Sequence, residues 1–146
     1  MPAAWHMDCG FEDATWPVPA VKIFSFFDAV DAEGGGTLVL AGSHRLVERY
    51  APTLPPATGG NRVQWDRFMR QDPWLDRVRR GGTASQPARD LLDEQHEVDG
   101  VPVRVIELTG RPGDVVITHL HVFHCSAANV LPRPRQMLGA TIRAAR

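Results

Sequence analysis

The stretch Val21-Lys22-Ile23-Phe24-Ser25-Phe26-Phe27-Asp28-Ala29-Val30 carries the first reading of the fold. Aromatic and β-branched residues dominate it, which is the composition of a buried strand. Asp31 to Gly36 follows as a turn by its acid-glycine chemistry. Thr37-Leu38-Val39-Leu40-Ala41 is a second short strand, ended by Gly42-Ser43-His44-Arg45. Together they predict an antiparallel hairpin. Strand signals return at Val101 to Leu108, which alternates in part, and at Val115-Val116-Ile117 after the turn Gly110-Arg111-Pro112-Gly113-Asp114. A last strand is expected over Gln136 to Ile142. Strand pairs on either side of a helical segment, without regular alternation of strand and helix, argue for an antiparallel sheet or barrel.

The middle of the chain has a different character. His44 to Tyr50 fits a turn or two of helix before the Pro52, Pro55 and Pro56 break. Asn61 to Gln71 carries Val63, Trp65, Phe68 and Met69, and Trp74, Leu75 and Val78 follow Pro73. These spacings fit short amphipathic helices separated by the proline and closed by Gly81-Gly82. Ala88 to Gln95 is a weaker helix candidate. Residues 44–98 are therefore expected to form a helical insertion, or lid, over one mouth of a β core. Arg62, Arg67, Arg70, Arg77, Arg79 and Arg80 lie within it, as a solvated face or as an attraction for an anionic substrate.

The 146 residues suit one domain, 1–146, able to bury about 70% of its unfolded surface. A formal net charge of -1 argues against electrostatic binding of nucleic acid, which needs clustered unbalanced cations. No apolar run approaches the roughly 20 residues of a membrane span, and the start lacks the basic segment and apolar core of a signal peptide. Cys9 and Cys125 are the only cysteines, too few for a disulfide scaffold; they are expected as reduced thiols in a cytoplasmic protein. Lys22 is the only lysine among many arginines, which reflects coding bias as easily as function.

The chemistry concentrates in Trp5-His6-Met7-Asp8 and in the histidines near the other end. Residues two apart on an extended segment project from the same face, so His6 and Asp8 can converge on one ion. Imidazole and carboxylate together, with a further distant histidine, make the 2-His-1-carboxylate donor set of a non-haem Fe(II) site. His119, His121 and His124 compete for the third place. His119 and His121 share a strand face if the chain is extended there, so a second metal site using both is conceivable. Otherwise one of them is a core residue or hydrogen-bonds a ligand residue. His96, among polar neighbours, is expected at the surface. Arg135 suits a cofactor that presents a carboxylate.

The segment Gly113-Asp114-Val115-Val116-Ile117-Thr118-His119, continuing through Phe123-His124-Cys125-Ser126, Asn129 and Arg135, resembles the distal motif of the phytanoyl-CoA dioxygenase (PhyH) family. That motif has a Gly-Asp turn, an apolar strand, a histidine five before the ligand histidine, then Ser, Asn and Arg at plus two, five and eleven. Gly35-Gly36-Thr37-Leu38 with Gly42-Ser43-His44-Arg45 resembles the family's middle signature, and Trp5-His6-Met7-Asp8 its proximal H-x-D. The resemblance implies a double-stranded β-helix, the jelly roll of cupin-like proteins. It implies His6, Asp8 and His124 as Fe(II) ligands, and Arg135 as the partner of the distal carboxylate of 2-oxoglutarate. Ser126 and Thr37 are further candidate cofactor donors, although Ser126 and Asn129 suit turn capping equally well. Trp5, Phe26 and Trp65 are candidates for lining the substrate pocket. His44 is expected as a structural residue at the hairpin end. The implied reaction couples decarboxylation of 2-oxoglutarate, with O2 as co-substrate, to hydroxylation of a small organic molecule. Related halogenases lack the ligand carboxylate, so Asp8 favours hydroxylation.

In the family, the H-x-D follows the second core strand, whereas this chain begins at it. The first two core strands have no counterpart, which predicts unpaired edges, an exposed core face and a first ligand pair on a fraying terminus. An N-terminally truncated enzyme, a short homologue completed by a homodimer, and an inactive jelly roll that binds metal or a ligand are the competing readings. A cupin-like metal enzyme that does not use 2-oxoglutarate is disfavoured by Arg135.

Overall fold

The computed structural model describes residues 5–11, 20–53, 60–81, 91–92 and 94–144. Seven strands are described: β1 Ala20–Phe26, β2 Thr37–Ala41, β3 His96–Val98, β4 Val101–Glu107, β5 Val115–His119, β6 His124–Ser126 and β7 Met137–Arg143. They form a three-stranded sheet, β5-β1-β7, and a four-stranded sheet, β3-β4-β2-β6, and every strand pair is antiparallel. Two facing antiparallel sheets with strands exchanged between them give the cupin-like, mainly β architecture.

The predicted hairpin does not form. β1 and β2, consecutive in the chain, belong to different sheets. The intervening turn carries the chain across the gap between the sheets. Val30 is bridged to Gly110 by reciprocal backbone hydrogen bonds of 2.9 and 3.0 Å, and Gly34 pairs with Asn129. Turn chemistry marks where a chain reverses, but not which strand it then joins; here the long-range partners decide.

Alternation explains two separate cores. In β2, Leu38 and Leu40 face one side and Val39 the other, and all three are buried. Val39 lies between the sheets with Phe24, Phe26, Val30, Leu108 and Val122. Leu38 and Leu40 instead join a larger cluster with Val103, Val105, Phe68, Leu75 and Val78. A strand covered on both faces reads as a continuous apolar run, as β2 does.

The cover on that second face is helical: α1 Ser43–Tyr50, α2 Gly60–Met69 and α3 Pro73–Gly81. Leu46 and Val47, Phe68 and Met69, and Trp74, Leu75 and Val78 are their buried residues. Gly42 opens α1 with φ 88, and any side chain there would strike the Pro102 carbonyl. Asp72 caps α3, its Oδ1 accepting the Trp74 and Leu75 amides at 2.7 and 3.1 Å. The helices lie against a sheet face, and 96–98, expected within the helical insertion, form strand β3 of that sheet. His96 is correspondingly not a free surface residue, since it stacks on Trp74 at 5.0 Å. Of the helix expected over 88–95, residues 91–92 and 94–95 are described and are not α-helical, Leu92 instead bridging to Val105, and the rest lies outside the described residues. Arg70, Arg77, Arg79 and Arg80 are each ion-paired, to Asp66, Glu94, Asp66 with Asp76, and Asp76. Their charge is spent locally rather than offered to a substrate.

The outer face of the three-stranded sheet is apolar, with Val21, Val115, Ile117, Leu138 and Ile142 exposed among the described residues. No described helix is long and apolar enough to cross a membrane.

Candidate metal centre

The first ligand pair is firmly held, contrary to the fraying expected of it. His6 and His124 exchange backbone hydrogen bonds, N–H to O, of 3.0 and 2.9 Å. Alternation then sorts the side chains of residues 5–9. Trp5, Met7 and Cys9 enter the helix-covered core, and His6 and Asp8 project to the opposite side. The Trp5 indole N–H donates to the Val78 carbonyl at 3.0 Å, tying this segment to α3. Buried apolar anchors on one face therefore fix the polar pair on the other.

His124 on β6 faces the same centre, while Phe123 and Cys125 on either side of it enter the helix-covered core. One donor atom from each of His6, Asp8 and His124 lies within 4.8 Å of the others. Asp8 Oδ2 is 3.7 Å from His124 Nε2, and Asp8 Oδ1 is 4.0 Å from His6 Nε2. These separations exceed a hydrogen bond. They are longer than the roughly 3.0 Å between adjacent ligands at about 2.1 Å from one ion, so the three donors would close in by under about 1 Å to hold it.

Proton placement suits a metal as well. His124 Nδ1 lies 3.1 Å from the Val122 carbonyl, an acceptor only, so Nδ1 carries the proton and the Nε2 lone pair faces Asp8. That arrangement, with the free ring N–H on a carbonyl, is the one that orients metal-bound imidazoles. Burial, seconded by His6 and Lys22, lowers the His124 pKa against the Val122 bond and the Asp8 charge, which keeps the ring neutral. Burial alone would raise the Asp8 carboxyl. The Lys22 hydrogen bond and the charges of His124, Lys22 and His6 outweigh it and hold Asp8 below its ordinary value. A neutral imidazole beside an ionised carboxylate is the state in which these groups ligate. The donor set thus fits a divalent ion.

Lys22 and Phe24 also touch this centre, and sequence reasoning missed both. Lys22 Nζ sits 2.5 Å from Asp8 Oδ2 and 5.5 Å from the Phe24 ring centre, with little of the side chain in water. Phe24 meets the His124 ring edge-on at 5.5 Å. Both lie on one face of β1. A lone lysine within an apolar strand was the available signal, because a lysine is rarely buried unless paired.

Arg135 reaches the same region along β6. Its Nη2 donates to Ser126 Oγ at 3.2 Å, and Ser126 stands one same-face step from His124, roughly 6.6 Å along the strand. Thr37, buried, is the register partner of Ser126 on β2. Burial lowers the Arg135 pKa, with Glu107 opposing; a guanidinium remains charged at neutral pH all the same. Asn129 instead caps its turn, accepting the Leu131 amide at 3.0 Å and donating to the Arg133 carbonyl at 2.6 Å.

The three aromatic candidates separate. Trp65 lies 6.3 Å from the His6 ring, and its indole nitrogen is buried with no hydrogen-bond partner among the described residues. Trp5 is a core anchor, and Phe26 is buried between the sheets with its ring against Gly110. His119 and His121 do not join His6 and Asp8. They gather with Glu48 elsewhere, and His44 sits on α1 with its ring 5.1 Å from His119 rather than at a hairpin end. Cys9 and Cys125 are buried, and burial pushes the Cys125 thiol up to about 12. Its thiol is inert and faces away from the centre.

No curated protein and no solved structure matched the chain. A family model for phytanoyl-CoA dioxygenase matches residues 2–137, from before the H-x-D to beyond Arg135. The chain belongs to the phytanoyl-CoA dioxygenase (PhyH) family of Fe(II)/2-oxoglutarate-dependent oxygenases.

Proposed function

We propose that this chain is a non-haem Fe(II)- and 2-oxoglutarate-dependent dioxygenase that hydroxylates a small organic molecule. One observation carries the reading: His6, Asp8 and His124 converge on one point, and Arg135 is bonded to Ser126 two residues along the strand from His124. A metal site and a half-buried guanidinium side by side suit a chelating cofactor that ends in a second carboxylate.

His6, Asp8 and His124 would hold Fe(II), and Arg135, with Ser126 and Thr37, would hold 2-oxoglutarate. When bound, Fe(II), 2-oxoglutarate and O2 supply an oxidation that yields succinate, CO2 and one oxygen atom for a substrate C–H bond. The chain's own residues then orient and exclude water. Val122 fixes the His124 ring through its Nδ1 proton. Lys22 keeps Asp8 ionised and restrains one of its oxygens. Phe24 walls the centre beside His124, and the Trp65 indole N–H is a donor for a polar substrate group. A carboxylate at position 8 favours hydroxylation over halogenation, because a halide needs the place that the carboxylate takes. Within a single 1–146 domain, Trp65 on α2 would be the part of residues 44–98 that reaches the substrate side.

The test is succinate formation by the purified chain with Fe(II), 2-oxoglutarate and O2. Wild-type protein should form succinate even without its primary substrate, and His6→Ala and Arg135→Ala should each reduce it to background. Metal binding without succinate would favour a jelly roll that binds without turnover.

A further inference from the structure

We propose a second divalent-metal site, formed by Glu48 on α1, His119 at the end of β5 and His121 in the connection to β6. One donor atom from each of the three lies within 4.8 Å of the others. This is again two imidazoles and one carboxylate, the donor set of borderline ions such as Zn(II) and Co(II).

The geometry is specific. Glu48 Oε1 lies 3.5 Å from His119 Nε2, too far for a good hydrogen bond and close enough for both to ligate one ion. That nitrogen is buried and makes no hydrogen bond among the described residues. His121 is fully buried, and its ring meets that of His119 edge-on at 4.8 Å. Glu48 is the exposed member, so an ion enters from solvent past a carboxylate. The elements that bring the three together are independent of the His6 centre: the helix α1 and the chain leaving the three-stranded sheet.

The surroundings favour neutral rings. His44 lies 5.1 Å from His119, ring to ring, and its Nδ1 is buried with no hydrogen-bond partner among the described residues. Neutral imidazoles are what a metal needs. One contact must change. His119 Nδ1 accepts the His121 backbone N–H at 3.2 Å, so the neutral ring keeps its proton on Nε2. An ion at Nε2 moves that proton to Nδ1 and gives up this single hydrogen bond.

An ion here would tie α1 to the β5–β6 connection that leads into His124. The site is independent of the proposed reaction, so its test does not rely on turnover. Metal-free protein is titrated with Zn(II) by calorimetry and with Co(II) by visible absorption. Wild type should bind two equivalents. Glu48→Gln, a change at an exposed helix position, should weaken one of them by roughly 100-fold or more and leave succinate formation unchanged. His119→Gln should do the same. Asp8→Ala should remove the other equivalent. Binding in the wild type, at one equivalent or two, that survives Glu48→Gln and His119→Gln undiminished would overturn the proposal.

Discussion

Two clusters of the same composition, His6–Asp8–His124 and Glu48–His119–His121, differ in how their protons and carboxylates are held. In the first, a backbone carbonyl takes the ring proton of His124 and leaves Nε2 free toward the centre. In the second, a backbone N–H occupies His119 Nδ1 and leaves the proton facing Glu48. Asp8 is pinned by a mostly covered lysine, whereas Glu48 stands on a helix surface. The first cluster also has a neighbouring arginine placed for an anionic co-ligand. Residue types alone do not make a catalytic site; the hydrogen bonds around them decide whether it is set before the ion arrives.

Arg135→Ala gives the largest expected effect that separates the clusters. Losing a charge-assisted, forked contact should weaken 2-oxoglutarate binding by roughly 100-fold, near 3 kcal/mol. Metal binding at Glu48 and His119 should not change. Anaerobic titration of the Fe(II) protein with 2-oxoglutarate reads the first effect, and Zn(II) calorimetry the second.

Asp8→Asn comes next. It strips the charge partner from Lys22, a change that costs about 3–5 kcal/mol where a pair is fully buried. Asp8 keeps a quarter of its side chain in water, which brings the expected loss to roughly 2 kcal/mol. Glu48→Gln should stay within about 0.5 kcal/mol. Urea unfolding of the two metal-free variants makes the comparison, and equal losses would break it.

Acid should erode both clusters together. His44, His119 and His124 all have folded pKa values below 6.5, so each contributes stability above that value and loses it as pH falls through it. Asp8, lowered from 3.8, adds a further loss at more acid pH. Metal-free stability should therefore decline from pH 7 to pH 5, and denaturation midpoints across that range test it. A midpoint that rises on acidification would contradict the neutral-ring assignment.

Trp5→Phe should cost less than Asp8→Asn. It keeps the buried ring but removes the hydrogen bond to Val78, for about 1 kcal/mol. Metal affinity should fall at the His6 centre and not at the other.

The sequence carried the parts of this account that depend on local pattern. The β2 run, the three helices and the paired parity of His6 and Asp8 could all be read from spacing. The choice of His124 came from the Ser, Asn and Arg spacings of a family motif. Sheet membership could not be read, because Val30 pairs with Gly110 across 80 residues and local turn chemistry does not encode that partner. The burial of Lys22 was hidden for the same reason: its partner Asp8 arrives on a separate segment. Trp5 and Phe26 looked like pocket residues by type, and long-range packing put them in the cores.

The most direct test is the anaerobic absorption spectrum of the wild-type chain with Fe(II) and then 2-oxoglutarate. The account predicts a visible metal-to-ligand charge-transfer band that needs both additions, saturates at one 2-oxoglutarate per chain, and is absent in His124→Ala but retained in Glu48→Gln. No band in the folded wild-type protein, or a band that survives His124→Ala, would contradict the assignment of His6, Asp8 and His124 as the catalytic centre.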